Sequence, residues 1–347
     1  MAENKKIKIL YTSQHCCIRV VKIARALMAT GKYEVSSLSN QLSYGTQFFN
    51  TCQFYHNKEQ FDNAIRKSDA EIFIHANEPC WQLNLIREVR PDAKIVLDAH
   101  DLDSVRQGLI PIDEYKAISN CNGIIFVSKE MQDFICDLHK DQLRNKPSVV
   151  LEHYCSQEFI DKPLPPDSQR RGLVYEGGAQ SPPYKDNQFK YRHLYPLMKQ
   201  LVKQGHEVHL MAGNGDAART YADIGAYVYP PEVYDKLMDK LTLKKYGLCV
   251  FNNGDLSQLQ VNLTLTNKHF EYIACGLPVI VFGAPATANW IKKYGGGLCF
   301  DRLEDITPEI LEKEYPRVKA EVDKLRPEYS MEKHIHVLDE FLEELLL

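Results

Sequence analysis

No stretch of these 347 residues is apolar over the ~20 positions that span a bilayer, so an integral membrane protein is not expected. The polar start, residues 1–6, runs directly into a strand-like segment. It lacks the apolar core and cleavage site of a signal peptide, so a cytoplasmic chain is the expectation. No Cys-x-x-Cys pair occurs among the ten cysteines, and Cys249, Cys275 and Cys299 lie inside apolar runs; reduced, buried thiols are expected rather than disulfides or a zinc site. Excess basic charge is missing too. Lys and Arg number 42 against 46 Asp and Glu, a formal net charge of −4, which argues against nucleic acid as the main partner.

What is present is a hydrophobic fraction of 44% and a charged fraction of 25%, the balance of a soluble globular protein long enough for two domains. Residues 7–11, 34–38, 71–75, 94–98, 123–127 and 148–151 read as strands, with helices over 18–29, 60–67, 81–89, 114–119 and 130–138. Near-continuous apolar strands of this kind belong in a parallel sheet covered on both faces. Residues 155–171 carry Pro163, Pro165 and Pro166 among polar neighbours and read as a linker. A second series follows, with strands over 172–176, 207–211, 226–229, 247–251, 278–282 and 297–300 and helices including 188–203, 233–241 and 268–275. The expected fold is α/β, with two Rossmann-like, doubly wound parallel-sheet domains (1–154 and 172–330) facing a cleft, followed by a C-terminal helix over 331–347. That helix puts Ile335, Leu338, Leu342, Leu345 and Leu346 on one stripe with acidic residues around it, which favours docking on the protein body over an anionic membrane.

Ligands of open α/β sheets bind beyond the carboxyl ends of strands, so the residues just after strands are the candidates. The richest segment is 267–280, a charged helix that stops at Gly276 and runs through Pro278 into an apolar strand. A helix starting near Thr264 or Thr266 would aim free N–H groups, with Asn267 and Lys268 in its first turn, at a diphosphate. Glu271, three residues on from Lys268, could accept ribose hydroxyls, although a solvated Lys–Glu pair is the ordinary explanation of that spacing. Gly177 and Gly178 follow the first strand of the second series and could bring backbone N–H groups to a phosphate; Gly213 and Asn214 repeat the arrangement for a base or ribose, and plain turns explain both nearly as well. In the first half, His100 and Asp101 stand at a strand tip, a position for a general base, against the alternative of turn capping. Asp101 and Asp103 also have the spacing of a metal-binding pair, a weak signal. Arg19, Lys22 and Arg25 form a basic ridge, as do Lys185, Lys190 and Arg192; both are solvated faces by default, and anion contacts otherwise. Cys16-Cys17 lies where the first strand gives way to the first helix, and packing is preferred to a ligand-facing thiol there.

Taken together, the two α/β halves, His100-Asp101 and the 267–280 segment resemble GT-B glycosyltransferases, especially family 4 and its close relatives. Residues 268–279, from Lys268 through Glu271 and Gly276 to Val279, look like the family's donor-binding segment. Arg19 with Ala24, Leu27 and Gly31 is similar to its first helix, and Ser128 to a serine after a late strand of its acceptor domain. The resemblance implies a nucleotide-sugar donor, UDP- or GDP-linked, and a glycan or lipid-linked acceptor, as in polysaccharide biosynthesis, with no required metal or other cofactor. It implies that Glu271 holds the donor ribose and Lys268 the diphosphate. His100 or Asp101 would stand at the reacting centre, with Asp101 as base if the reaction inverts, and His15 and Arg19 on the acceptor side. The Glu-x7-Glu pair of many retaining members is broken, because Leu263 stands eight before Glu271; stereochemistry stays open. Ser13-Gln14-His15-Cys16 replaces the family's glycine-rich first turn, and its diphosphate Arg and Lys find substitutes only in Lys185, Lys190 and Arg192. A nucleotide-sugar epimerase or phosphorylase, or a silent nucleotide-sugar-binding subunit, are the alternatives. Peripheral membrane contact would fall to the Arg19 to Arg25 ridge.

Overall fold

Strand follows helix along the chain in two series, and each series closes into its own parallel sheet. The computed structural model describes residues 5–42, 44–76, 79–182, 190–211, 216–252 and 258–347. In the first sheet the strands are β1 (Ile7–Cys16), β2 (Tyr33–Leu42), β3 (Cys52–Phe54), β4 (Ile72–Ala76), β5 (Lys94–Ala99), β6 (Gly123–Phe126) and β7 (Ser148–Val150), in spatial order β3-β2-β1-β4-β5-β6-β7. In the second they are β8 (Arg171–Glu176), β9 (Val208–Met211), β10 (Tyr227–Tyr229), β11 (Lys244–Val250), β12 (Val279–Phe282) and β13 (Gly297–Cys299), in order β10-β9-β8-β11-β12-β13. The chain divides into a unit of Met1–His153 with Met331–Leu347 and a unit of Tyr154–Ser330.

The central strands are apolar on both faces: Ile72, Phe73 and Ile74 of β4 and Leu248, Cys249 and Val250 of β11 are all fully buried. Side chains cap some of the helix starts. Asn57 accepts from the Gln60 amide at 2.9 Å, and Ser128, the residue singled out by resemblance, accepts from the Met131 amide at 3.0 Å and caps Lys129–Leu138.

Several elements differ from the sequence reading. β1 runs on to Cys16, because Thr12 and Ser13 are buried and the Thr12 hydroxyl pairs with His75 Nδ1 at 3.0 Å, so polar residues that read as a turn continue the strand. β3 is a three-residue edge strand too short and polar to show a pattern. The described part of the 188–203 helix is a 3-10 turn, Lys190–Arg192, followed by the helix Tyr195–Lys203, with Pro196 in its first turn, where a missing N–H costs nothing. The proline-rich 155–171 stretch is packed into the second unit: Phe159 and Ile160 are buried, and Arg326 donates to the carbonyls of Phe159 and Lys162 at 3.1 and 2.7 Å. The C-terminal helix is broken into Met331–His334 and His336–Leu346, as His336 Nδ1 takes the Lys333 carbonyl (2.9 Å) that the next helical turn would use. Its apolar stripe docks on the first unit, and Asp339 accepts from the Tyr33 hydroxyl at 2.6 Å and from Lys32 at 2.7 Å.

One backbone position carries a prediction. Helix Asn267–Ala274 ends on Gly276 at φ +71°, and the Leu277 amide returns to the Tyr272 carbonyl at 2.8 Å. A Cβ at Gly276 would stand 2.5 Å from Leu164 Cδ1 and 3.1 Å from Arg170 Nη2. Gly276→Ala is therefore expected to cost more than about 1 kcal/mol in urea unfolding, since both the left-handed backbone and the neighbours oppose it.

Candidate active site

In the first sheet the strand order reverses between β1 and β4, and in the second between β8 and β11. Connections leaving the carboxyl ends of strands at such a point diverge and leave room for a ligand. A candidate region lies near this point in each unit.

In the first unit, β1 passes into helix Ile18–Ala29, and Arg19 turns inward from its first turn. The Arg19 guanidinium and the Asp98 carboxylate are both fully buried and forked together, Nε lying 3.0 and 3.1 Å from the two oxygens and Nη2 2.9 Å from Oδ1. The basic ridge is thereby corrected. Lys22 is also buried and the Arg25 guanidinium lies over the Phe48 ring at 4.2 Å, so Arg19 and Lys22 offer nothing to an acceptor or a membrane. Arg19 is a structural residue. His15, at the end of β1, is exposed.

β5 leads into His100 and Asp101. The His100 Nδ1 lies 3.2 Å from the Asp98 carbonyl, Nε2 lies 3.8 Å from Cys17 Sγ, and the ring meets His153 edge-on at 6.2 Å. Burial pulls the imidazole pKa down, but Cys17, Asp98 and Asp101 outweigh it and raise it to about 9. At neutral pH His100 is a cation suited to negative charge, and Asp101 stands half-buried in the following bend. Asp103 is taken up by Arg106 at 3.1 Å and Gln107 at 2.8 Å, so it does not pair with Asp101 as a metal site.

In the second unit, β8 ends at Glu176, and Gly177 turns at φ +104°. A Cβ there would lie 3.2 Å from the Lys268 ammonium, and one at Gly178 would lie 3.0 Å from Arg192 Nη1. Two cations from distant segments thus meet one glycine turn. The Lys268 Nζ stands 5.1 Å from the Tyr175 ring centroid and 5.9 Å from that of Phe251. Burial lowers its pKa, and Tyr175 and Glu176 more than restore it, so the group stays charged. Lys268 lies in the first turn of Asn267–Ala274, whose free N–H groups reinforce its charge. Among the described residues, the buried Thr264 Oγ1, which can donate or accept, and Asn267 Oδ1, which can only accept, have no hydrogen-bond partner there. Gly177 also borders a cavity of about 130 Å³ lined by Glu176, Met211, Tyr229, Leu237 and Lys240.

Glu271 does not share a solvated face with Lys268. Its side chain is buried, and Oε1 accepts from the Tyr234 hydroxyl at 2.7 Å. Gly213, Asn214 and Lys185 lie outside the described residues.

The chain is similar in fold along almost its whole length to several solved structures. HepE from Anabaena, solved with UDP, aligns at a TM-score of 0.70 and 11% identity over 97% of this chain and 100% of that one. A glycosyltransferase from Rickettsia africae gives 0.69 and 11% over 99% of each chain. Sucrose-phosphate synthase from Thermosynechococcus elongatus gives 0.66 and 10% over 98% and 99%. The chain has the GT-B glycosyltransferase fold. Residues 200–336 match the family "Glucosyltransferase 3-like, C-terminal domain", a span that holds Lys268 and Glu271. By sequence, no curated protein matches the chain.

Within this GT-B chain the structure joins Lys268, Gly177, Gly178 and Arg192, which sequence reading had placed in three separate motifs. It adds Asp98, Cys17, Tyr175 and Tyr234. Of these, Cys17 was visible as part of an unusual pair; Tyr234 and Asp98 carried no local signal, being a helix residue and a strand residue of ordinary type.

Proposed function

We propose that the chain transfers a sugar from a nucleotide-sugar donor to an acceptor hydroxyl, with the donor held by the second unit and the acceptor by the first. The observation that carries this reading is the convergence of Lys268 and Arg192 on the Gly177-Gly178 turn, at the start of a helix and at the switch point of the sheet. That is a site for a diphosphate: two fixed cations and free N–H groups stabilise the charge that grows on the leaving group as the glycosidic bond breaks. The charge is met by side chains and a helix end, so no metal is required. Gly177 borders both this turn and the cavity at the ends of β8 and β9, so the cavity receives the nucleoside. Glu271 takes the ribose, held in place by Tyr234. UDP is the preferred nucleotide, supported by its presence in the HepE structure and in an α-glucosyltransferase similar to this chain at a TM-score of 0.69 and 12% identity. Asp101 accepts the proton of the attacking hydroxyl, and the His100 cation faces the donor.

The acceptor is a glycan or a lipid-linked sugar, in polysaccharide biosynthesis, and the likeness of residues 268–279 to a family 4 donor segment supports an affinity with that family. The chain works in the cytoplasm. Among the described residues no helix is long and apolar enough to cross a membrane. For a lipid-linked acceptor the fitting surface is the exposed apolar group Leu109, Ile110, Ile112 and Tyr115, in place of the Arg19 ridge.

A thermal-shift titration tests the donor half. UDP at about 100-fold above its Kd is expected to stabilise the second unit by about 3 kcal/mol, with smaller effects from GDP, ADP and CMP. Glu271→Gln keeps a partner for Tyr234 yet weakens the ribose contact, so the shift should shrink. No stabilisation by any nucleotide would remove the proposal.

A further inference from the structure

Cys17 is unused by the reaction above, yet its surroundings differ from those of the other nine cysteines. The His100 Nδ1 lies 3.2 Å from the Asp98 carbonyl oxygen, which can only accept, so the hydrogen of a neutral ring sits on Nδ1. Nε2 is then the basic nitrogen, and it faces Cys17 Sγ at 3.8 Å. Cys17 also precedes the twelve-residue helix Ile18–Ala29, whose free N–H groups favour negative charge at that end. Asp98, the nearest carboxylate, opposes a thiolate, but its charge is neutralised by the fork to Arg19. Tyr11 stays a neutral phenol because burial pushes its pKa up, the Asp101 charge favours the His100 cation, and His153 meets that ring edge-on. Cys17 as a residue is half-buried.

We infer that Cys17 is a nucleophilic modification site, a thiol that exchanges with low-molecular-weight disulfides with His100 as its proton acceptor. The step balances. With the Cys17 proton already resting on Nε2 of the His100 cation, the thiolate attacks one sulfur of the disulfide, and a Cys17–sulfur bond forms as the old S–S bond breaks. The departing thiolate recovers the proton from His100, and one disulfide is exchanged for another without an external oxidant. Burial alone would raise the Cys17 pKa, but the contact with His100 outweighs it and brings the thiol below the ordinary range. The more accessible alternatives, Cys52, Cys136 and Cys299, are pushed the other way by burial, and neighbouring Cys16 is raised to about 12. This inference needs no sugar transfer, so it stands or falls separately from the proposed function.

The test uses the full-length chain with an aromatic disulfide, 5,5′-dithiobis(2-nitrobenzoate), following thiolate release from pH 6 to 9 and mapping the labelled cysteine by mass spectrometry. One fast equivalent at pH 6.5 is expected on Cys17, ~10-fold or more ahead of Cys299, with the ratio narrowing towards pH 9 as ordinary thiols ionise. Cys17→Ser should abolish the fast phase, and His100→Gln should slow it ~10-fold at pH 6.5 and little at pH 9. First labelling of Cys299, Cys52 or Cys136, or an unchanged rate in His100→Gln, would overturn the assignment. If His100→Gln does not fold by circular dichroism, the pH dependence of the Cys17 to Cys299 ratio in the wild type decides alone: a ratio near one at every pH sinks it.

Discussion

Lys268→Ala is expected to lower kcat/KM for sugar transfer by ~10²–10³-fold, with most of the loss in kcat. The ammonium is held over the Tyr175 ring and against Gly177, where it can reach only what lies above that turn. Charge on a leaving diphosphate grows as the sugar departs, so a fixed cation there stabilises the transition state more than the bound donor. A preorganised contact of this kind contributes about 3 kcal/mol. Lys268→Arg should recover part of the rate, because charge is kept while the point of contact moves. Steady-state kinetics with UDP release as the readout check this, and a rate within threefold of wild type would show that Arg192 and the helix end suffice without it. Arg192→Ala should cost less, since Arg192 meets Gly178 from a short 3-10 turn rather than from the helix start.

The largest effect on stability is expected at Asp98. Asp98→Ala should destabilise the first unit by about 3–5 kcal/mol, because Arg19, fully buried, would keep its charge with only the Glu152 carbonyl, 3.3 Å from Nη1, and His153 beside it. The double variant Arg19→Met with Asp98→Leu removes both charges and fills similar volume, so it should recover most of that loss. Urea unfolding by fluorescence can assign the change to a unit, since Trp81 lies in the first and Trp290 in the second, and each can be followed alone after replacing the other by Phe. A single-variant loss under about 1 kcal/mol, or a double variant no better than the single, would mean that water reaches the pair and shields it. The two predictions separate cleanly: the Lys268 variant is read in turnover, and the Arg19–Asp98 variants are read in stability.

That contrast also marks where sequence reading held and where it failed. The alternation of apolar strands and amphipathic helices is local, and it located all but one of the described strands and the helix that carries Lys268. The Arg19 ridge misled for a physical reason. Helical spacing shows that Arg19, Lys22 and Arg25 lie on one side, but whether that side is solvated depends on Asp98, 79 residues away. The same holds for Glu271, whose spacing from Lys268 suggested a shared exposed face, while Tyr234 from another helix receives it inside. Arg192 could be listed only as a nearby basic residue until the Gly178 turn was folded against it.

By itself, the sequence determined the α/β class, the repetition of two series, the helix that ends at Gly276 and the placement of charge and glycine after strands, because periodicity, caps and turns act over a few residues. Only the tertiary structure decided which charges face solvent, which pair inside, and which meet around one turn. Those outcomes depend on desolvation and on distances between strands and helices far apart in the chain, and no local pattern carries them.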